Sequence, residues 1–328
     1  MLERFRGLAR GLISEEGAIY KTCVEFFNAF VNLLPVYKDT PEIHIIIFKF
    51  FCDFTEYQSQ YLSEDEPLLL FNAAIELFKK YSALNLGKVK LKSLEDEKEA
   101  YKDIFSMLKL LCILSGFSND FNEVQEIIFI GLSILLPMIT TELLEFPKLC
   151  NTYFTLVCML FEDCPHKVGA LPSHLFASLL NSLKYGANHA DVEIARKSIE
   201  ALGSIGKYHF TTKLENGTEA VSEQVLIDCL QFLLNYLLFN DFSSELLPTT
   251  SDALLALICA EQKSYSGIVH QLISQQSDPT LRERLGLAFT DLMTKNNIGA
   301  AIDRKNLENF RRNVEEFVTK VKSYLLRK

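Results

Sequence analysis

The residues with the chemistry to bind a metal or attack a substrate are scattered rather than assembled. Cys150, Cys158, Cys164 and His166 form the densest set of potential metal ligands. Their cysteine spacings of eight and six lack the short paired knuckles that bring thiolates together at zinc. On a helix, Cys150 and Cys158 stand about two turns apart, too far to share one ion. The expected reading is four core or surface side chains and no metal. The six histidines, at 44, 166, 174, 189, 209 and 270, show no HExxH spacing. Each is expected at a surface or in a turn.

Phosphate chemistry fares no better. Gly203-Ser-Ile-Gly206-Lys207 ends like a P-loop, but Ala201 stands where the first glycine is required. Tyr208 replaces the Ser or Thr that would hold magnesium. These two glycines are expected to permit close helix packing or to mark a helix end. Ser133 has Gly131 before it but Leu135 after it, so no nucleophile elbow exists there. Asn216-Gly-Thr218 has the form of a glycosylation acceptor and is expected to be a turn. The acid clusters Glu64-Asp65-Glu66 and Glu95-Asp96-Glu97-Glu99 open helices, where carboxylates offset the helix dipole. No enzyme, cofactor, catalytic or metal site is expected.

The elements that carry these residues repeat a 3.6-residue apolar period. Thr40-Pro41 caps and opens a helix whose stripe is Ile43, Ile47, Phe50, Phe54, Tyr57 and Tyr61. Leu68, Phe71, Ile75 and Phe78 form the next stripe, with Gly87 placed to end that helix. Ile104, Met107, Leu111 and Leu114 follow. Phe121–Met138 reads as a helix distorted or ended by Pro137. Further starts fall near Pro147, Pro172, His189, Glu219, Ser243 and Asp278-Pro279. Asp303 caps the last helix, whose face is Phe310, Val314, Phe317, Val321 and Leu325. Loops are expected at 85–94, 115–122 and 211–219.

The sum is about thirteen helices and no strand, in pairs of about 40–50 residues each, the length of a HEAT-type repeat. The predicted fold is an all-α, right-handed α-solenoid of about six antiparallel pairs, with 1–328 forming a single domain. Such a stack works by surface, offering one helix of each pair to a partner.

Composition supports this. The chain has 328 residues, 48% of them hydrophobic, with only 14 Gly and 9 Pro. That excludes disorder and an all-β chain of tight turns. The longest apolar run, Ile127–Ile139, is too short to span a bilayer, so no membrane role is expected. The first residues, Met1-Leu-Glu-Arg-Phe-Arg-Gly, carry charges where a signal sequence needs an apolar core. Eight cysteines with no CxxC pair then suit a reducing compartment. The net charge of -9 disfavours direct nucleic-acid binding. Residues 282–328 hold eleven Lys and Arg against six Asp and Glu, or +5, which leaves -14 on 1–281. The acidic part suits a basic protein surface. The basic final helix, with Arg304, Lys305, Arg311, Arg312, Lys320, Lys322, Arg327 and Lys328, reads first as a solvated face.

Six passages resemble a known family: LLPVYKDTPE (33–42), SALNLGK (82–88), LLEFPKLCNTYFTL (143–156), LPSHLFASLLNSLKYG (171–186), QQSDPTLRERLGLAF (275–289) and DRKNLENFRRNVEEF (303–317). Together they resemble the C-terminal region of the exportin-4 family of nuclear transport receptors, in the importin-β (karyopherin) superfamily. The Pro147 and Asp303 regions share character with the exportin-7 family. The run from Leu171 leans toward exportin-4. The resemblance implies a HEAT-repeat receptor that binds protein cargo with Ran-GTP and shuttles between nucleus and cytoplasm through nucleoporin-lined pores. It further implies cargo such as the hypusine-bearing translation factor five A and Smad-type factors. Ran-binding repeats of that family lie in an N-terminal arch, so the chain is expected to match the C-terminal arch. No cargo- or Ran-binding residue can be named from sequence. A static HEAT scaffold and an exportin-7-like receptor are the alternatives.

Overall fold

The computed structural model describes residues 1–11, 18–58, 66–85, 94–116, 122–169, 171–241, 243–296 and 302–325. Glu64, Asp65 and Gly87 lie outside the described residues, as do the side chains of Glu66 and of Glu95 to Glu99. Among the described residues there are seventeen α-helices and no strand, and thirteen of the helices have ten residues or more. The expected count of thirteen corresponds to these long helices. The chain divides into two compact units, Met1–Asp163 and Cys164–Lys328.

The first unit holds α1 (Leu2–Ala9), α2 (Ala18–Val24), α3 (Phe27–Val36), α4 (Pro41–Gln58), α5 (Glu66–Asn85), α6 (Leu94–Ser115), α7 (Asn122–Leu135), α8 (Thr141–Leu144) and α9 (Pro147–Asp163). Every second long helix packs on the next of its layer: α1 on α4, α4 on α6 and α6 on α9 in one row, α3 on α5 and α5 on α7 in the other. That alternation is the packing of stacked HEAT-type helix pairs, each burying its stripe against its neighbours.

The core here is aromatic. Phe27 and Phe30 of α3 and Phe50, Phe51 and Phe54 of α4 are all buried. Their rings meet mostly edge-on, as Phe30–Phe50 does at 4.9 Å and 78°. Each such burial contributes about 1.5–3 kcal/mol, and edge-on pairs add to it. Ile104, Met107, Leu111 and Leu114 are buried on α6, as their spacing predicts. On α4 the buried arc is wider than the stripe and rotated from it, because α4 meets α1 and α6 in its own row and α3 across. Phe48, Phe51 and Thr55 are therefore buried, while Tyr57 is 40% exposed. Pro137 ends α7 by converting its last turn to a 3-10 segment, Leu136–Met138. No helix among the described residues is long and apolar enough to cross a membrane.

The second unit holds α10 (Pro165–Gly169), α11 (Ser173–Ala187), α12 (Val192–Asn216), α13 (Glu223–Phe239), α14 (Leu247–Ala260), α15 (Gln262–Ser274), α16 (Pro279–Thr294) and α17 (Arg304–Leu325). Helices α12, α14 and α17 pack in one row, and α11, α13 and α16 pair with them in turn. The contact of α12 with α14 is the most intimate. A Cβ on Gly203 would lie 2.8 Å from the Ala253 Cα, and one on Gly206 would lie 2.8 Å from the Leu257 backbone nitrogen. The glycines of the failed P-loop thus serve close packing.

Caps appear where their residues predicted them. The Asp278 carboxylate accepts from the Thr280 amide at 2.8 Å, and Asp303 accepts from the Asn306 amide at 2.8 Å. Phe310, Val314, Phe317 and Val321 are buried on α17, joined by Val318 and Tyr324, whereas Leu325 is half-buried. The expected loop at 211–219 is corrected: α12 continues to Asn216 and stops at Gly217, which takes φ +66°. Lys213 and Leu214 have good helix propensity, and only Gly217 adopts the left-handed turn cheaply. The start expected near Glu219 moves to Glu223, and that expected near His189 to Val192.

Candidate functional site

A groove of the first unit lies along the row α1, α4, α6 and α9, with a volume of about 800 Å³. Its lining includes Arg6 and Arg10 of α1, Lys49, Cys52 and Asp53 of α4, Lys102, Phe105, Ser106 and Lys109 of α6, and Pro147 and Lys148 of α9. Six basic side chains line it against one acid. Arg6 and Arg10 are four residues apart, and Lys102 and Lys109 seven, so each pair shares one helix face.

Asp53 is buried at 5% exposure and organises one end of the groove. Its two oxygens accept from Arg6 Nε at 3.0 Å and Arg10 Nη2 at 2.9 Å. The hydrogen bond to Asp53 raises the pKa of Arg10 further. Gln58 of α4 donates to the Ala9 carbonyl at 2.6 Å, so α1 is tied to α4 at two places. Lys109 donates to Glu56 at 3.2 Å. Burial works against its ammonium, but the bond to Glu56 and that charge outweigh it, and the pKa rises. Lys49, Lys102 and Lys148 are exposed and have no acidic partner within ion-pair distance among the described residues.

The second unit carries a smaller groove of about 380 Å³ between α11 and α13, floored by Phe176, Leu180 and Val225 and edged by Lys184 and Asp228. On the basic α17, Arg311 makes a two-pronged ion pair with Asp252 of α14, with Nε to Oδ1 at 2.7 Å. Lys322 donates to the Asn240 carbonyl at 3.0 Å. This face is in part an intramolecular fastening and in part solvated.

Cys150, Cys158 and Cys164 are buried, and His166 is exposed. Burial pushes the thiols of Cys23, Cys52 and Cys229 up to about 11, 12 and 12, far from nucleophilic. The expectation that every histidine lies at a surface or turn is corrected for two. His44 is 3% exposed and His209 is fully buried. His209 Nδ1 accepts from the Val221 amide at 3.2 Å. That fixes the proton on Nε2, which points toward Glu261 at 3.9 Å. Burial, and then Lys213, lowers its pKa below 6.5. The imidazole is a neutral internal cap, and no charge pattern in the sequence marks it as such.

The basic groove is what sequence reasoning missed. The acidic balance of residues 1–281 suggests a negative surface, yet these six cations come from four separate helices. The one visible signal is the shared-face spacing within α1 and α6.

A family model for exportin-4 matches residues 3–328. The chain belongs to the exportin-4 family. Within this family it is similar to exportin-4 of Dictyostelium discoideum, at 28% identity over 93% of this chain and 26% of that protein. It is also similar to exportin-7 of Dictyostelium discoideum, at 21% identity over 91% of this chain and 31% of that protein. Ran-binding protein 17 of Mus musculus matches at 23% over 60% of this chain and 19% of its own length. The chain therefore spans about a quarter of the length of its exportin-4 relative.

Proposed function

We propose that this exportin-4 family chain acts as part of a nuclear export receptor, binding protein cargo on its helical rows in a cycle governed by Ran-GTP. The family match across residues 3–328 carries this reading. A relative named Ran-binding protein 17 supports Ran as a partner, and the exportin-7 relative supports transport as the shared activity. The cargo classes that the family suggests are the hypusine-bearing translation factor five A and Smad-type factors. Nucleoporins would be met during shuttling between cytoplasm and nucleus. Residues 1–328 would act as one functional segment, without catalysis.

The physical basis is quasi-one-dimensional packing. In such stacks each helix pair touches its neighbours, so many small adjustments can add into a change of surface. The test is capture of Ran and cargo by this chain, alone and with further family repeats at its N-terminus. Ran should be loaded with GTP or GDP. Cargo retention by the extended protein that rises with Ran-GTP supports the proposal. Retention indifferent to the nucleotide would replace it with a static scaffold.

A further inference from the structure

We propose that the groove along α1, α4, α6 and α9 docks an extended acidic segment of a partner protein. Three observations converge on that occupant. The lining is basic on an acidic chain: Arg6, Arg10, Lys49, Lys102, Lys109 and Lys148 share it with one carboxylate, Asp53. With Arg6 also paired to Glu3 and Lys109 to Glu56 at its edge, Lys49, Lys102 and Lys148 keep their charge for a partner. The cations are distributed along the row, with one or two on each of four successive helices. Those at one end are pre-organised, because Asp53 clamps Arg6 and Arg10, while Lys49, Lys102 and Lys148 project into solvent.

Packed helices lie about 8–10 Å apart, so a row of four spreads its charges over about 25–30 Å. An extended chain rises about 3.3 Å per residue, so about eight to ten residues cover that length. An acidic side chain about every third residue then meets a cation on each helix. A compact phosphate would reach only the cations of one or two neighbouring helices. A nucleic acid would have to approach against the net charge of -9. Phe105 and Pro147 in the lining offer apolar contact for the segment's side-chain stems. The inference concerns this unit alone and does not rest on the transport reading.

The test uses the full 328-residue chain and a fluorescein-labelled peptide of about ten residues, with Asp at every third position and Ser between, read by anisotropy. Binding is expected at low salt, weakening as salt screens the charges. The variant Lys49→Glu, Lys102→Glu, Lys148→Glu is expected to bind at least about tenfold more weakly, with the fold intact by circular dichroism. Lys207→Glu, Lys263→Glu, Lys305→Glu makes the same change of net charge on exposed lysines of the other unit. It is expected to leave affinity within about twofold. If the reversal variant loses its fold, Lys→Gln at the same three positions replaces it, again with weaker binding expected. The proposal is overturned if the native chain does not bind the peptide or if both sets weaken it equally. It is also overturned if oligothymidylate of equal charge displaces the peptide more readily than unlabelled peptide does.

Discussion

Replacing Gly206 by Ala sets two effects of opposite sign against each other. Ala is the better helix former by about 1 kcal/mol, so α12 considered alone would gain. Across the interface, however, the new Cβ would lie 2.8 Å from the Leu257 nitrogen, 2.9 Å from the Ala256 carbonyl carbon and 3.0 Å from the Leu257 Cα. Ordinary contact begins at 3.4 Å, so the largest shortfall is 3.4 minus 2.8, or 0.6 Å. All three neighbours are backbone, and no side chain can rotate away. Helices α12 and α14 must separate, loosening the contacts of Leu202, Leu254 and Leu257, which are buried. Overpacking costs about 1–3 kcal/mol, and three unyielding backbone atoms put this case in the upper part of that range, about 2–3 kcal/mol, which leaves a net loss of about 1–2 kcal/mol. Gly267 on α15 has nothing within 4 Å of its Cβ position, and Gly267→Ala keeps the helix gain alone. Thermal and urea unfolding of both variants should therefore give opposite signs. Gly206→Ala should lower the Tm by about 2–8 °C for a unit of this size, and Gly267→Ala should raise it slightly. A Gly206→Ala chain as stable as the Gly267→Ala chain would refute the close approach of α12 to α14. Adding Gly203→Ala should cost less than the sum of the two single changes, because the helices have already parted.

Asp53→Ala removes the buried carboxylate that Arg6 and Arg10 share, leaving Arg6 only its exposed partner Glu3, and should cost about 1.5–3 kcal/mol. Limited proteolysis should show α1 cut first. For His209 the folded-state pKa lies below the unfolded value of 6.5. The unfolded chain therefore takes the proton first, so this contribution to stability is full above about pH 6.5 and declines as the pH falls below it. His209→Gln, whose amide oxygen can still accept from Val221, should show a smaller loss of urea midpoint between about pH 7 and pH 5. Seven of the eight cysteines are buried, and Cys112 is half-buried. Thiol titration of the native chain should give at most one fast-reacting group, Cys112, with the rest appearing only on denaturation.

Much of the fold was legible in one dimension. The Phe310, Val314, Phe317 and Val321 stripe, the Asp278 and Asp303 caps and the break at Pro137 follow from helical period, orphan amides and a missing N–H. Those causes act within a few residues, so local sequence reports them. Errors arose where a neighbour decided the outcome. Tyr57 lies on the predicted stripe but is exposed, because the surroundings of α4 are set by α1, α3 and α6. His209 looks like any polar helix residue until the chain turns at Gly217 and brings the Val221 amide to it.

By itself the amino-acid sequence determined the helices, their caps, their apolar faces and, through six scattered passages, the family. It also determined that Gly203 and Gly206 were poor candidates for phosphate binding. Only the tertiary structure decided what those glycines touch, which carboxylate clamps Arg6 and Arg10, and that six cations from α1, α4, α6 and α9 line one groove. The reason is physical: helix formation depends on residues three or four apart, whereas a surface potential depends on which helices become neighbours. Lys49 and Lys148 are 99 residues apart in the chain and line the same groove.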